Sequence, residues 1–196
     1  MRAFIAIELS DEIRKILSQI QSHLKYSAAD VKWIEKNNIH LTLKFLGDIT
    51  EKKCENIKSV LDKIAKNTKS FELSLKVSKE VPGTFIGAFP NINYPRVIWV
   101  GLDKGVKEST EIMVRIDEEL SKIGFEKESR PFAAHLTIGR VRSPKNKEAL
   151  KEKMLSYDPQ PIVHSSQSAS SIILFQSTLM PKGPIYTKLY EVNFAV

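Results

Sequence analysis

Two tetrapeptides constrain the fold of this chain more than any other feature: His40-Leu41-Thr42-Leu43 and His135-Leu136-Thr137-Ile138. In each, polar and aliphatic residues alternate. Because residues two apart on a strand share a face, each reads as a half-buried strand with its histidine and threonine side by side and its aliphatic pair turned into a core. One copy lies in each half of the 196-residue chain, so the fold has to bury two such strands on one face only.

The segments around the two copies repeat an order of helix, His-x-Thr strand, polar turn and helix, which reads as an internal duplication of architecture with little identity outside the motif. Residues 4–8 predict a strand, and Ser10-Asp11 can cap a helix with Ile13, Ile16, Leu17, Ile20 and Leu24 on one face. Residues 31–34 are short and extended, Asn37-Asn38 marks a turn, and residues 39–46 form the first motif strand, ending at Gly47-Asp48. Thr50 can cap a second helix carrying Ile57, Val60, Leu61 and Ile64, and Phe71, Leu73, Leu75 and Val77 alternate as a strand. Residues 81–95, rich in proline and glycine, predict a loop or irregular hairpin. Then come a strand at 96–102, a helix at 106–123, the second motif strand at 133–141 and a helix from Ser143-Pro144 to about Leu155. Closing strands follow at 171–175 and 186–194, around a turn at Met180-Pro181-Lys182-Gly183-Pro184. Strands with hairpin-like spacing mixed with helices predict an α+β fold with largely antiparallel sheets, in one domain spanning 1–196. No glycine-rich loop follows the first strand, so nothing supports a Rossmann or Walker-type phosphate cradle.

A histidine on a sheet surface beside a threonine is ordinarily no more than strand composition. With 8 threonines in the chain, a given histidine has roughly a 4% chance of Thr two places on, and two such hits among four histidines arise in about 1% of shuffles, which favours function over coincidence. His23 and His164 lack the threonine and are assigned to the surface or to local hydrogen bonding. If the two pairs face each other across a cleft, they suit in-line displacement at phosphorus, which needs a base on the attacking oxygen and an acid on the leaving one. Imidazole supplies both near neutral pH, and threonine hydroxyls can donate to the non-bridging oxygens where charge accumulates. Arg140 could grip the same oxygens. Strict alternation puts Arg140 on the face opposite His135, so the role requires Gly139 to mark a bulge; otherwise Arg140 is a surface arginine. By the same parity Lys44 shares the face of His40, as a solvated neighbour or a general attraction for phosphate.

A net charge of +7 favours a polyanionic partner, although lysines spread along helical stretches are also what a solvated face looks like. Cys54 is the only cysteine, which excludes an internal disulfide and a cysteine-based zinc site and fits a cytoplasmic address. The first apolar run is too short for a signal peptide, and no stretch is long enough to span a membrane.

The chain resembles the 2H phosphoesterases, and within them the bacterial and archaeal RNA 2′,3′-cyclic phosphodiesterases, historically called 2′-5′ RNA ligases. The resemblance runs through Met1-Arg2-Ala3-Phe4-Ile5-Ala6, through Asn38-Ile39-His40-Leu41-Thr42-Leu43-Lys44-Phe45-Leu46-Gly47-Asp48, through Arg130-Pro131-Phe132-Ala133-Ala134-His135-Leu136-Thr137-Ile138-Gly139-Arg140, and through Gly183-Pro184-x-Tyr186. It implies a bilobal fold with pseudo-twofold symmetry around a central cleft that holds both motifs. By similarity His40 would protonate the leaving 3′-oxygen, His135 would activate water, and Thr42, Thr137 and Arg140 would hold the phosphate. The implied product is a 2′-phosphate end, with ATP-independent 2′-5′ ligation as the reverse reaction. The implied partners are RNA ends, including tRNA-derived fragments, with no cofactor, no metal and no obligate protein partner. Base recognition would need an aromatic platform, for which Phe4, Phe132, Tyr94 and Tyr186 are candidates; Phe4 and Phe132 fit a core pattern, and nothing in the sequence chooses between Tyr94 and Tyr186.

Three other readings remain: a related enzyme on small cyclic nucleotides or 2′-5′ oligonucleotides, a non-catalytic RNA-binding module, and a metallohydrolase. The last lacks a His-x-His and a carboxylate beside either motif, apart from nearby Asp48.

Overall fold

The computed structural model describes residues 1–77, 86–129, 131–158, 163–181 and 183–195. Strand β1 (Arg2–Glu8) leads into helix α1 (Asp11–Lys25), where the Ser10 hydroxyl accepts the Ile13 N–H and the expected Ile13, Ile16, Leu17, Ile20 and Leu24 are buried. The chain continues through β2 (Val31–Trp33), a 3-10 turn (Lys36–Asn38), β3 (His40–Asp48) and α2 (Glu51–Lys66), the last capped by Thr50. Next come β4 (Phe71–Val77), β5 (Ile86–Phe89), β6 (Val97–Gly101) and α3 (Val106–Ser121). The remaining elements are β7 (His135–Val141), α4 (Lys147–Ser156), β8 (Val163–Ala169), β9 (Ser171–Met180) and β10 (Gly183–Asn193). No described helix is long and apolar enough to cross a membrane.

The strands form two four-stranded sheets, ordered β10-β9-β1-β3 and β2-β7-β6-β5, plus a β4-β8 ribbon. Every pairing between these strands is antiparallel, so the α+β expectation holds. Each half contributes the same unit, β1-α1-β3 and β6-α3-β7, with the motif strand beside the first strand of its unit. The edges are exchanged: β9 of the second half pairs with β1, and β5 of the first half pairs with β6. One buried cluster joins the two units, with Leu41 and Leu43 of β3 in the same core as Leu136 and Ile138 of β7.

Three departures from the sequence reading have physical reasons. Residues 163–169 read as no element because Val-His-Ser-Ser-Gln-Ser-Ala shows no apolar alternation; β8 is held instead by backbone pairing along the whole of β4. Its Gln167 also receives the Ser10 N–H and donates to the Glu8 carbonyl. Of the loop or irregular hairpin expected at 81–95, residues 81–85 lie outside the described residues, and 86–89 form a regular strand, β5, one arm of an antiparallel hairpin with β6, where a Cβ on Gly87 would collide with the Trp99 ring. Helix α4 starts at Lys147 rather than at Ser143-Pro144, after Asn146 in the left-handed region.

Both motif strands carry a bulge at the same place. Against β1, Ile5 pairs with Lys44 and Ala6 with Thr42, leaving Leu43 as the extra residue. Against β6, Ile98 pairs with Gly139 and Trp99 with Thr137, leaving Ile138. Each bulge reverses the alternation beyond it, turning Lys44 and Gly139 inward and Phe45 and Arg140 outward.

Candidate active site

His40 and His135 each begin their strand, and each ring is fixed by a backbone group two residues upstream. His135 Nδ1 donates to the Ala133 carbonyl at 2.6 Å, and His40 hydrogen-bonds the Asn38 backbone. A carbonyl can only accept, so Nδ1 of His135 carries a proton and Nε2 remains the nitrogen that can take or give one.

The rings differ in their neighbours. His40 stacks on Phe4 with centroids 4.7 Å apart and meets the edge of Tyr186 at 5.3 Å. Burial pushes its pKa down to about 4; the Asn38 hydrogen bond opposes this, and the Arg14 charge adds to it. His135 meets Phe89 edge-on at 5.0 Å and Trp99 at 6.3 Å. Burial lowers its pKa as well, opposed by the Ala133 bond and assisted by the Arg140 charge.

A chamber of about 150 Å³ brings together His40, Thr42, Thr137 and Arg140, with Lys32, Phe45 and Tyr186 also on its wall. His135 is two residues from Thr137 on the same face of β7. Gly139 does accompany a bulge, and that bulge turns Arg140 into the chamber; a Cβ on Gly139 would stand 2.8 Å from Val31. A second chamber of about 370 Å³ shares His40, Asn38, Pro184 and Tyr186 with the first and adds Glu8, Arg14, Glu35, Asn37, Phe175, Ile185 and Lys188. Its two carboxylates, Glu8 and Glu35, balance its two cations, and Glu8 pairs with both of these, Arg14 at 3.3 Å and Lys188 at 2.7 Å.

The first bulge corrects the reading of Lys44. It leaves the histidine face and is buried, with Nζ on Asp117 Oδ1 at 2.5 Å and on the Glu126 carbonyl at 2.9 Å. Burial raises the Asp117 pKa, but hydrogen bonds from Lys44 and the Glu128 N–H outweigh it, and the carboxyl lies below its ordinary range.

Among the aromatic candidates, Tyr186 stands between the two chambers, while Tyr94 is 68% exposed under Lys147. Phe4 backs His40, and Phe132 packs on the main core. Sequence reasoning missed Phe45 and Lys32; the bulge that exposes Phe45 has no glycine to announce it. Lys32 lies directly across from Arg140 in the β2-β7 pairing, and neither they nor Arg142 has a carboxylate partner among the described residues. His23 lines neither chamber; its hydrogen bond goes not to a local group but to the Lys153 carbonyl of α4. Among the described residues no group of three or more His, Cys, Asp or Glu side chains is placed to hold a metal ion.

The family model described as LigT-like phosphoesterase matches residues 7–99 and, a second time, residues 100–186. The chain belongs to the LigT-like phosphoesterase family. The double match is an internal duplication, with one His-x-Thr strand in each copy. A LigT-like relative from Methanocaldococcus jannaschii is 38% identical over 191 residues, covering 97% of this chain and 99% of that protein, and is named an RNA 2′,3′-cyclic phosphodiesterase. One from Methanothermobacter thermautotrophicus bears the same name, at 36% identity over 96% of both chains. The LigT fold recurs in a crystal structure from Thermus thermophilus, with a TM-score of 0.80 at 22% identity over 99% of this chain and 98% of that one. It recurs also in E. coli LigT complexed with 3′-AMP, with a TM-score of 0.76 at 23% identity over 100% and 98%.

Proposed function

We propose that this protein opens 2′,3′-cyclic phosphates at RNA ends to leave 2′-phosphates, by two-histidine acid–base catalysis without a metal, both halves of residues 1–196 contributing to one site. The observation that carries the reading is the chamber in which His40, Thr42, Thr137 and Arg140 converge from the two motif strands. His135 Nε2 takes the proton of a water whose oxygen attacks phosphorus. The bond to the 3′-oxygen breaks opposite the attack, and His40 Nε2–H protonates that oxygen, so one proton is taken and one given. The two threonine hydroxyls and the Arg140 guanidinium stabilise the charge that builds on the non-bridging oxygens.

In the free protein His40 is largely neutral at pH 7, since its pKa is about 4. A bound phosphate anion some 4 Å away, at an effective dielectric of about 20, would favour the imidazolium by about 4 kcal/mol, or roughly three pKa units. Substrate therefore loads its own acid. The terminal nucleoside fits the larger chamber, whose mix of donors, acceptors and apolar groups suits a base better than a second anion.

A chain of RNA is favoured over a small cyclic nucleotide by Lys32 and Arg140, which face each other across β2 and β7 on the chamber wall, cations without carboxylate partners among the described residues. Ligation is the same chemistry reversed, with a 5′-hydroxyl in place of water. The test is to incubate the protein with RNA ending in a 2′,3′-cyclic phosphate, chelator present, and identify the product isomer. A 2′-phosphate is expected; a 3′-phosphate, or loss of turnover with chelator, would overturn the reading.

A further inference from the structure

Each motif strand is gripped at its bulge by the helix of the opposite half. Gln21 of α1, from the first half, donates its side-chain amide to the Ile138 carbonyl of the second motif strand and to the Ile34 carbonyl, both at 2.8 Å. Asp117 of α3, from the second half, binds Lys44 of the first motif strand at 2.5 Å. Gln21 and Asp117 occupy comparable positions, late in the helix that joins the two strands of their unit.

A buried lysine is costly under a strand that could have kept an aliphatic residue there, because an ion pair rarely repays its desolvation better than good packing does. Packing therefore does not account for Lys44. What it does hold is the chain at Glu126 and Glu128, shortly before His135: Lys44 Nζ donates to the Glu126 carbonyl, and Asp117 also accepts the Glu128 N–H at 3.0 Å. Ala133, five residues after Glu128, supplies the carbonyl that orients the His135 ring.

We propose that Lys44 and Asp117, matched by Gln21 on the other side, are positioning residues that clamp the two motif strands across the duplication and set the placement of His135 relative to His40. The proposal rests on the acid–base reading of that pair, but it can be tested apart from it.

The decisive variant replaces the pair together, Lys44→Met with Asp117→Leu, since an apolar pair keeps the fold without the clamp. Thermal unfolding checks that it is folded. Asp117→Asn, which keeps the shape and an acceptor for Glu128, serves if the double variant does not fold. Two readouts are compared with wild type: side-chain 15N signals of His135 in the free protein, and kcat and KM on a 2′,3′-cyclic phosphate. The His135 signal should move from a single Nδ1–H tautomer to a mixture. kcat should fall about ten- to hundredfold with KM within about twofold, the mark of lost alignment, whereas Lys44→Arg with Asp117 intact should retain most of the wild-type kcat and His135 signal. A folded variant with an unchanged His135 signal overturns the clamp, whatever its kcat. If wild type turns over no cyclic phosphate, the acid–base reading fails, while the His135 signal still decides the clamp.

Discussion

The His40 and His135 pockets are built by the same backbone device and differ in what surrounds it. Each ring starts a strand, bonds a backbone group two residues back, and precedes a threonine and a bulge. His40, however, is sealed between Phe4 and Tyr186, where its pKa falls to about 4, whereas His135 meets only the edges of Phe89 and Trp99. The motif thus fixes geometry, and the neighbours fix proton affinity. Packing favours the neutral imidazole on both sides, so in the proposed mechanism it is the charge of the bound phosphate that makes His40 the acid.

The sharpest way to break this comparison is to delete either ring. His40→Ala and His135→Ala should each lower kcat on a 2′,3′-cyclic phosphate by at least about 100-fold, a typical acid–base contribution. A large effect from only one would mean that the halves do not act as a pair. Next in size is acid stability. His40 has a folded pKa of about 4 against an ordinary 6.5, so the unfolded chain binds the extra proton between those values. Its contribution is therefore complete above pH 6.5 and lost as the pH falls to 4, roughly 3 kcal/mol in all. Urea unfolding of His40→Gln should show a flatter loss across that window than wild type, and His135→Gln should change the slope less.

Arg140→Gln should lower kcat/KM about ten- to hundredfold, and Arg140→Lys should recover only part of it, because an ammonium cannot bridge two oxygens. Gly139→Ala tests the inward-turned position that is Lys44 in the other copy. With Val31 2.8 Å from the new Cβ, it should cost about 1 to 3 kcal/mol in chemical denaturation. The smallest effect belongs to Lys32→Gln. It should weaken an oligonucleotide cyclic phosphate a few-fold and reduce the salt slope by a little under one, with a mononucleotide unchanged.

The helices and their buried faces were legible because apolar spacing and caps such as Ser10 and Thr50 act locally. The two histidine strands were legible for the same reason, as was the Gly139 bulge, announced by its glycine. The Leu43 bulge was not: nothing in Leu-Thr-Leu-Lys-Phe distinguishes a regular strand from one whose lysine turns inward to meet an aspartate on a distant helix. Strand β8 was equally hidden, because its stability comes from the backbone of β4 and from Gln167 rather than from its own side chains. Local chemistry could be read in advance, while contacts between the halves had to be seen in three dimensions.

The central claim is that both imidazoles serve one phosphorus atom. A crystal structure with a pentacoordinate vanadate ester of a nucleoside tests it most directly. The account predicts Nε2 of His40 and Nε2 of His135 within hydrogen-bond distance of the two opposite apical oxygens, with Thr42, Thr137 and Arg140 on the equatorial ones. A vanadate held by one histidine alone, with the other ring turned away from it, would contradict the account.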